Sequence, residues 1–161
     1  MIEIRQAIDS DQALLVEWLL QPGVLEGFPL TDLREVEDAA RIWMSYNRFG
    51  AVLTALYDGA PCGNAVLYLQ PYKKLAHQCL FAIIIDERFR GRGVGKALLT
   101  ALMELAKEKF HISLLHLEVY EGNEAAIHLY KKLGFTEYGV QKHFVKSNGR
   151  YLAKIMMQRY I

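Results

Sequence analysis

Two strand-like apolar segments joined by a long amphipathic helix dominate the middle of the sequence. The first segment, Cys79 to Ile85, is continuously apolar and rich in branched residues, which is typical of a strand buried on both faces. A helix is predicted from Gly93 to about Lys109, and a further strand from Ser113 to Tyr120. The helix carries one apolar face, formed by Val94, Leu98, Ala101, Leu102 and Leu105. Because a strand-helix-strand unit requires a crossover, at least one pair of strands is expected to be parallel.

The flanking segments add hairpin strands and shorter helices. Strands are predicted at 1–6, about 51–57, 62–70, 135–142 and 150–159. Helices are predicted from Asp9 to Leu19, after Thr31 or Asp32, and from Asn123 through Tyr130. Asp9 with Gln12 resembles a capping box, Gln21-Pro22-Gly23 should end the first helix, and 24–30 should be a loop. This order predicts an α/β (α+β) fold with a mixed, mostly antiparallel central sheet of about seven strands and helices on both faces.

Composition and charge exclude several classes of protein. The chain has 161 residues, 52% of them hydrophobic, and a net charge of +1, which favours one folded domain over 1–161 with no nucleic-acid or membrane partner. The charged residues among the first ten do not resemble a signal peptide. Cys62 and Cys79 have neither disulfide nor metal-ligand spacing, and the five histidines form no metal-binding pair. The sequence therefore predicts a cytoplasmic, soluble domain without a metal.

A glycine-rich loop joins the buried strand to the long helix. Its sequence, Arg90-Gly91-Arg92-Gly93-Val94-Gly95, lies where a helix N-terminus presents free N–H groups, and such a site binds phosphates. It is no P-loop, because Ala97 follows Gly95-Lys96 where Ser or Thr is required. It is no dinucleotide fingerprint either, because Lys96 stands in place of the third glycine. A glycine-rich helix start with solvated arginines is the simpler alternative.

Two motifs together resemble the GNAT acetyltransferases. Arg90-x-x-Gly93-x-Gly95 is similar to the acyl-CoA loop [QR]-x-x-G-x-[GA] of that family. The segment from Leu117-Glu118-Val119 through Asn123, Leu129-Tyr130 and Gly134-Phe135 is similar to its second half, L-x-V-x-x-x-N-x-x-A-x-x-L-Y-x-x-x-G-F. The resemblance covers about residues 79–159 and is only topological before them. It implies a splayed central parallel pair of strands and acetyl-CoA as the cofactor, with no metal.

The resemblance also implies roles for individual residues. The pantetheine arm is expected along the backbone of Ile83, Ile84 and Ile85, one N–H of which would serve as oxyanion donor. The pyrophosphate is expected on the loop and the first helical turn, at Arg90, Gly91, Arg92, Gly93, Val94, Gly95 and Lys96. Asn123 is expected to cap its helix and to contact the cofactor, whereas capping alone would explain its residue type. Tyr130 is expected to contact the cofactor and to act as the general acid for the thiolate; its alternative role is core packing.

Glu118 is the candidate base. In related N-terminal acetyltransferases of ribosomal proteins, the glutamate of the matching segment takes the proton of the amine, and the alternative here is a solvated strand face. Glu118 shares a strand face with His116. Neither cysteine falls in the motifs, so direct attack by the amine in a ternary complex is favoured over an acyl-cysteine.

The acceptor amine is the least constrained feature. Possible pocket walls are Trp18, Phe28, Trp43, Phe81 and Tyr138, while Glu26 and Asp32 are either cation-binding or merely solvated. The end resembles the G-x-Y-x-D-x-x-x-M hairpin of relatives that acetylate amino acids or phosphinothricin, but Ala153 replaces its acid. A small-molecule amine or amino acid is therefore the first prediction. A protein N-terminus or lysine, and a non-catalytic acyl-CoA sensor, stay open, as does a homodimer.

Overall fold

A computed structural model describes residues 1–161 and contains one seven-stranded sheet. Its strands are β1 (Ile2–Gln6), β2 (Val52–Tyr57), β3 (Ala60–Tyr68), β4 (Gln78–Ile85), β5 (Leu114–Tyr120), β6 (Thr136–Ser147) and β7 (Arg150–Tyr160). Their order across the sheet is β1-β2-β3-β4-β5-β7-β6. Every neighbouring pair is antiparallel except β4 and β5, which are parallel. The predicted mixed, mostly antiparallel sheet with a central parallel pair is confirmed.

Five helices cover the two faces of this sheet. They are α1 (Asp11–Leu19), α2 (Pro22–Leu25), α3 (Leu33–Ser45), α4 (Val94–Glu108) and α5 (Glu124–Lys132). One face packs against α4 and α5 in a cluster of 21 buried residues. The other packs against α1, α2 and α3 in a cluster of 12. None of the helices is long and apolar enough to cross a membrane.

The parallel pair separates soon after it begins. Residues Gln78–Leu80 of β4 pair with Leu114–His116 of β5, and no pairing continues beyond them. From Phe81 to Ile85, β4 is bonded to β3 alone, while β5 keeps its full pairing with β7 on its outer side. The expected splay is therefore present, and it leaves two strand edges facing each other across a gap in the middle of the sheet.

Three local predictions were wrong. Helix α1 begins at Asp11 after Ser10, which makes no side-chain cap bond, so Asp9 does not start it. Helix α1 ends before Gln21-Pro22-Gly23, as predicted, but the expected loop does not follow directly: Pro22–Leu25 forms α2, because proline is well suited to the first turn of a helix. Strand β6 continues to Ser147, five residues beyond the predicted end at 142. It does so through an irregularity between Gln141 and Val145 that interrupts the alternating pattern.

Candidate active site

The loop between β4 and α4 presents free backbone amides at a helix N-terminus. Gly91 and Gly93 have φ values of 74° and 82°, in the left-handed region where a side chain is strained. The first intrahelical bond of α4 is donated by Ala97 to Gly93, and none of the N–H groups from 91 to 96 bonds within the chain. No side chain caps the helix at Gly93. The loop can therefore donate several hydrogen bonds to an anion.

The basic side chains of this loop have different surroundings. The Arg92 guanidinium lies 5.3 Å from the centre of the Tyr57 ring and 5.4 Å from that of Phe89, which holds it beside the loop. Arg90 donates to the carbonyl of Gly23 in α2 at 3.0 Å, so part of its hydrogen-bonding capacity is used within the chain. Lys96 is exposed and pairs with no carboxylate. Positive charge is thus available around the free amides.

Asp86 anchors the loop, a role that the sequence analysis missed. Its buried carboxylate accepts hydrogen bonds from Gln21, the N-cap residue of α2, and from Arg88. Burial alone would raise the pKa of this carboxyl, but these hydrogen bonds hold the pKa at about 2. Gln21 also accepts from the N–H of Glu87 at 3.0 Å. The loop is therefore tied to the helices on the other side of the sheet.

Tyr130 lies on α5 against the beginning of the gap. Its ring packs edge-on against Phe81 of β4, with ring centres 6.2 Å apart, and against Phe135. Burial raises the pKa of its phenol to about 12, so the hydroxyl keeps its proton at neutral pH. That hydroxyl makes no hydrogen bond within the chain. Every fully buried side-chain nitrogen or oxygen does make one, so the hydroxyl oxygen is not fully buried and reaches solvent. A buried ring with an accessible, protonated oxygen is suited to donating a proton.

Asn123 and Gly95 define the junction between α5 and α4. Asn123 caps α5, as predicted, by accepting a hydrogen bond of 3.4 Å from the N–H of Ala126. At Gly95, a Cβ would lie 3.2 Å from the Leu129 side chain, so glycine allows α4 to approach α5 closely. The close approach at Gly95 brings the first turn of α4, with its free amides, against the helix that carries Tyr130.

The predicted cofactor strand lies at the separated end of β4. Ile83 and Ile85 pack against the cluster under α4, whereas Ile84 packs against the cluster under α1 and α3. Their side chains are thus core residues, as a buried strand requires. Their backbone faces β3 on one side and the gap on the other.

A cavity of about 290 Å³ opens beside the gap on the α1–α3 side. Both separated strands line it, β4 through Leu80, Phe81 and Ala82, and β5 through Glu118 and Tyr120. The rest of its wall includes Phe28, Pro29 and Leu30 of the α2–α3 loop, Trp43 of α3, Tyr68 of β3 and Phe144 of β6. Glu118 is its only charged lining residue. A larger depression between α1 and α3 is polar, open and distant from the gap.

Glu118 is a half-exposed carboxylate with one cationic partner. Lys154 of β7 lies 3.3 Å from it and also 4.0 Å from the centre of the Phe144 ring. Burial raises the pKa of Tyr120 to about 12, and the charge of Glu118 adds to that rise. His116 bonds to Gln78 at 2.6 Å, and burial lowers its pKa despite the nearby Glu118, so it is mostly neutral at pH 7.

Only some of the residues predicted to bind the acceptor line the cavity. Phe28, Trp43 and Phe81 line the cavity, whereas Trp18 is buried elsewhere in the core and Tyr138 is exposed outside it. Neither Glu26 nor Asp32 lines it; Asp32 caps α3. Tyr68, Tyr120 and Phe144 also line the cavity and were not predicted, since no local signal in the sequence brings these separate strands together.

The cysteines are buried within the apolar core. Burial raises the pKa of Cys62 to about 11 and that of Cys79 to about 12, and neither lines the cavity. Both thiols therefore stay protonated and are unsuited to nucleophilic attack. No group of three or more His, Cys, Asp or Glu is arranged to hold a metal ion.

Comparisons with known proteins agree on one family. The family model described as "Acetyltransferase (GNAT) family" matches residues 14–135. The L-amino acid N-acetyltransferase AaaT of Escherichia coli is 32% identical over 107 residues, which are 66% of either protein. The spermidine N(1)-acetyltransferase of the same organism is 35% identical over 150 residues, or 93% of the chain and 75% of that protein. Matches to two further curated acetyltransferases span 38% and 55% of their lengths.

One solved crystal structure matches the fold over almost the whole chain. The crystal structure of the ribosomal-protein-alanine N-acetyltransferase from Brucella melitensis superimposes with a TM-score of 0.85 at 27% identity. The match covers 99% of both chains. The names of these three proteins specify three different acceptors.

Proposed function

The chain belongs to the GNAT family of acetyltransferases, and from this premise we propose that it transfers the acetyl group of acetyl-CoA to the primary amine of a small molecule. One observation carries the proposal: a loop with free amides follows the separated end of β4, and a cavity is lined by both separated strands, β4 and β5. Residues 1–161 would act as one cytoplasmic catalytic domain, and the two free, buried cysteines are compatible with a reducing compartment.

The loop residues fit a bound pyrophosphate. The amides of Gly91 to Lys96 would donate to it, while Arg92 and Lys96 would balance its charge. The backbone of Ile83, Ile84 and Ile85 along the gap would bind the pantetheine arm in the manner of an added strand. Asn123, at the N-terminus of α5, is proposed to contact the cofactor as well. Bound acetyl-CoA supplies an activated acyl group, so the chain has to provide only orientation and proton transfer.

Glu118 and Tyr130 are proposed to move the two protons on opposite sides of the gap. Glu118 lines the cavity, where an amine arrives mostly as ammonium and must lose a proton before it attacks. Tyr130 keeps its proton and would donate it to the departing thiolate. The buried, protonated cysteines favour direct attack of the amine over an acyl-enzyme.

A small acceptor is favoured by the walls of the cavity. Phe28 to Leu30 lie on one side and Phe144 of the β6–β7 hairpin on another, so the space beside Glu118 is bounded in two directions. A protein N-terminus remains the second candidate because Glu118 stands in a Leu-Glu-Val segment and a ribosomal-protein acetyltransferase has the same fold over its full length.

Thiol release from acetyl-CoA tests the function. The full chain would be assayed with a panel of small amines, amino acids, polyamines and short peptides, with CoA affinity measured by calorimetry in parallel. Release that depends on a small amine supports the proposal, while release with peptides alone would favour the second candidate. Tight CoA binding with no release from any acceptor would indicate a sensor and contradict an enzyme.

A further inference from the structure

A tryptophan forms part of the cavity wall and is held from behind by a hydrogen bond. Trp43 of α3 is almost fully buried, and its ring lies 6.3 Å from Phe28 and 6.5 Å from Tyr68, which are also wall residues. Its Nε1 donates to Oδ1 of Asn64 on β3 at 2.6 Å. Because this is the only polar atom of the indole, Trp43 presents only carbon to the cavity.

Asn64 is itself fixed by a chain of buried hydrogen bonds. Its Nδ2 donates to Oγ1 of Thr54 on β2 at 3.0 Å, and that hydroxyl donates to Oδ2 of Asp11 at 2.7 Å. Arg5 of β1 binds both oxygens of Asp11, at 2.8 and 3.0 Å. This series of hydrogen bonds crosses three adjacent strands, so the indole of Trp43 cannot turn without leaving buried polar groups unpaired.

The charge of the cavity limits what it can hold. Glu118, which also pairs with Lys154, is the only carboxylate that the wall offers to an ammonium group. The other charged end of a polyamine would find no carboxylate in the cavity, and the attraction of an ammonium group to aromatic faces offsets only part of the cost of removing its hydration. An uncharged apolar group attached to the amine would instead bury its surface against Trp43, Phe28 and Tyr68.

We infer that Trp43, positioned by Asn64, selects acceptors in which a single primary amine carries an uncharged apolar group, and discriminates against polyamines. This inference rests on the proposed function and specifies its substrate class. Trp43 would contact the acceptor directly, whereas Asn64 would act through Trp43 as a positioning residue.

Two matched substitutions test the role of Trp43. The chain has two tryptophans, and Trp18 is buried in the same cluster without lining the cavity. We expect the parent to acetylate 2-phenylethylamine with a kcat/KM about 10²-fold above that for ethylamine, and above that for spermidine. Trp43→Phe should reduce the phenylethylamine-to-ethylamine ratio about tenfold with KM for acetyl-CoA unchanged, while Trp18→Phe should leave the ratio within about twofold.

Fluorescence provides a readout without turnover. In Trp18→Phe the only remaining tryptophan is Trp43, and in Trp43→Phe it is Trp18. With CoA bound, titration with 2-phenylethylamine should change the emission of Trp18→Phe and leave that of Trp43→Phe unchanged. Equal responses of both variants would overturn the placement of the acceptor against Trp43.

Ala39 and Asn64 supply independent variants. Ala39 lines the cavity on the same helix as Trp43, so Ala39→Leu should fill space and lower kcat/KM for 2-phenylethylamine at least tenfold more than that for ethylamine, without removing a hydrogen bond. Asn64→Leu should lower the ratio of kcat/KM for 2-phenylethylamine to that for ethylamine. If Asn64 acts through Trp43, adding Asn64→Leu to Trp43→Phe should not lower that ratio further. An additive effect in the double variant would overturn the positioning role.

The outcomes separate this inference from the proposed function. Acetylation with spermidine preferred over 2-phenylethylamine, or equal loss of selectivity in the Trp43 and Trp18 variants, would overturn the inference and leave the acetyltransferase activity standing. No thiol release from any amine would overturn both.

Discussion

The face of the sheet covered by α4 and α5 is packed mainly by apolar contacts, with Arg159 bonding to Leu133 and Met103, whereas the face covered by α1 to α3 contains a series of buried side-chain hydrogen bonds. The first cluster has 21 buried residues, none of them charged. Beside the second lie the buried side chains Asp11, Thr54 and Asn64. The proposed cofactor loop offers backbone amides as donors, and the hydrogen bonds of Asp86 tie it across the sheet. The proposed acceptor wall includes one indole, and directional hydrogen bonds fix the orientation of that indole.

The largest expected effect is on the apolar face. Leu102 of α4 is fully buried in that cluster, and Leu102→Ala should lower the free energy of unfolding by about 3 kcal/mol. The loss should be the same at pH 7 and at pH 4, because no titrating group is involved. Urea unfolding at the two pH values checks this, and a strongly pH-dependent loss would contradict the proposed separation of the two faces.

Substitution of Tyr130 should slow turnover without changing the affinity for CoA. Tyr130→Phe keeps the ring contacts with Phe81 and Phe135 but removes the hydroxyl, so kcat should fall about 10²-fold or more, roughly 2.7 kcal/mol. CoA affinity by calorimetry should stay within about twofold. A variant with the parental kcat would remove Tyr130 from the mechanism.

Glu118 should report chemistry on the acceptor side. Glu118→Gln should lower kcat/KM for the amine by about tenfold to 10²-fold at neutral pH and flatten the acidic limb of the pH–rate profile, because no carboxylate remains in the cavity to accept the proton. Acetyl-CoA binding should be unchanged. If the variant keeps the parental profile, another group or water takes the proton.

The smallest effect is expected from Asp11, which belongs to the buried series of hydrogen bonds, and its contribution to the free energy of unfolding should depend on pH. Burial alone would raise the pKa of Asp11, but hydrogen bonds from Arg5, Ile8 and Thr54 hold it below the ordinary value of 3.8. A carboxylate whose pKa is lower in the folded than in the unfolded chain stabilises the fold at pH values above the unfolded-state pKa. This stabilisation is lost as pH falls towards the folded-state pKa. Asp11→Asn should therefore be about 1.5 kcal/mol less stable than the parent at pH 7.

The difference between Asp11→Asn and the parent should shrink below pH 4, as followed by urea unfolding. A constant difference across that range would indicate that Asp11 stabilises the chain by packing rather than by its charge. Leu102→Ala serves as the control, since its effect should not titrate.

Most of the cofactor side could be predicted because its signals are local. The buried run of β4, the glycines at positive φ and the first turn of α4 follow one another within about twenty residues, and Asn123 caps α5 by contact with a residue three positions on. Asp86 was missed because its partner Gln21 lies 65 positions away. A carboxylate after a strand is indistinguishable in sequence from an ordinary turn residue.

The acceptor side was predicted poorly for the opposite reason. Its wall is assembled from α3, the α2–α3 loop and strands β3 to β6, so identifying Tyr68, Tyr120 and Phe144 requires knowing the strand order first. Trp18 and Trp43 are both helical aromatic residues with similar spacing to their neighbours, and only the packing shows which one reaches the cavity. The end of β6 was misplaced because its irregularity breaks the period on which a strand prediction depends.

The gap between β4 and β5 also bears on self-association. An unpaired strand edge on the outside of a sheet can recruit the edge of another molecule and start aggregation. Here the two edges face each other inside the sheet and converge where Gln78–Leu80 pair with β5, with α5 on one face and the 27–30 loop on the other. An edge enclosed in this way is less accessible to a strand from another molecule than the outer edges at β1 and β6 are. The unpaired backbone on which the proposed cofactor site depends is thus placed where other copies of the chain reach it least.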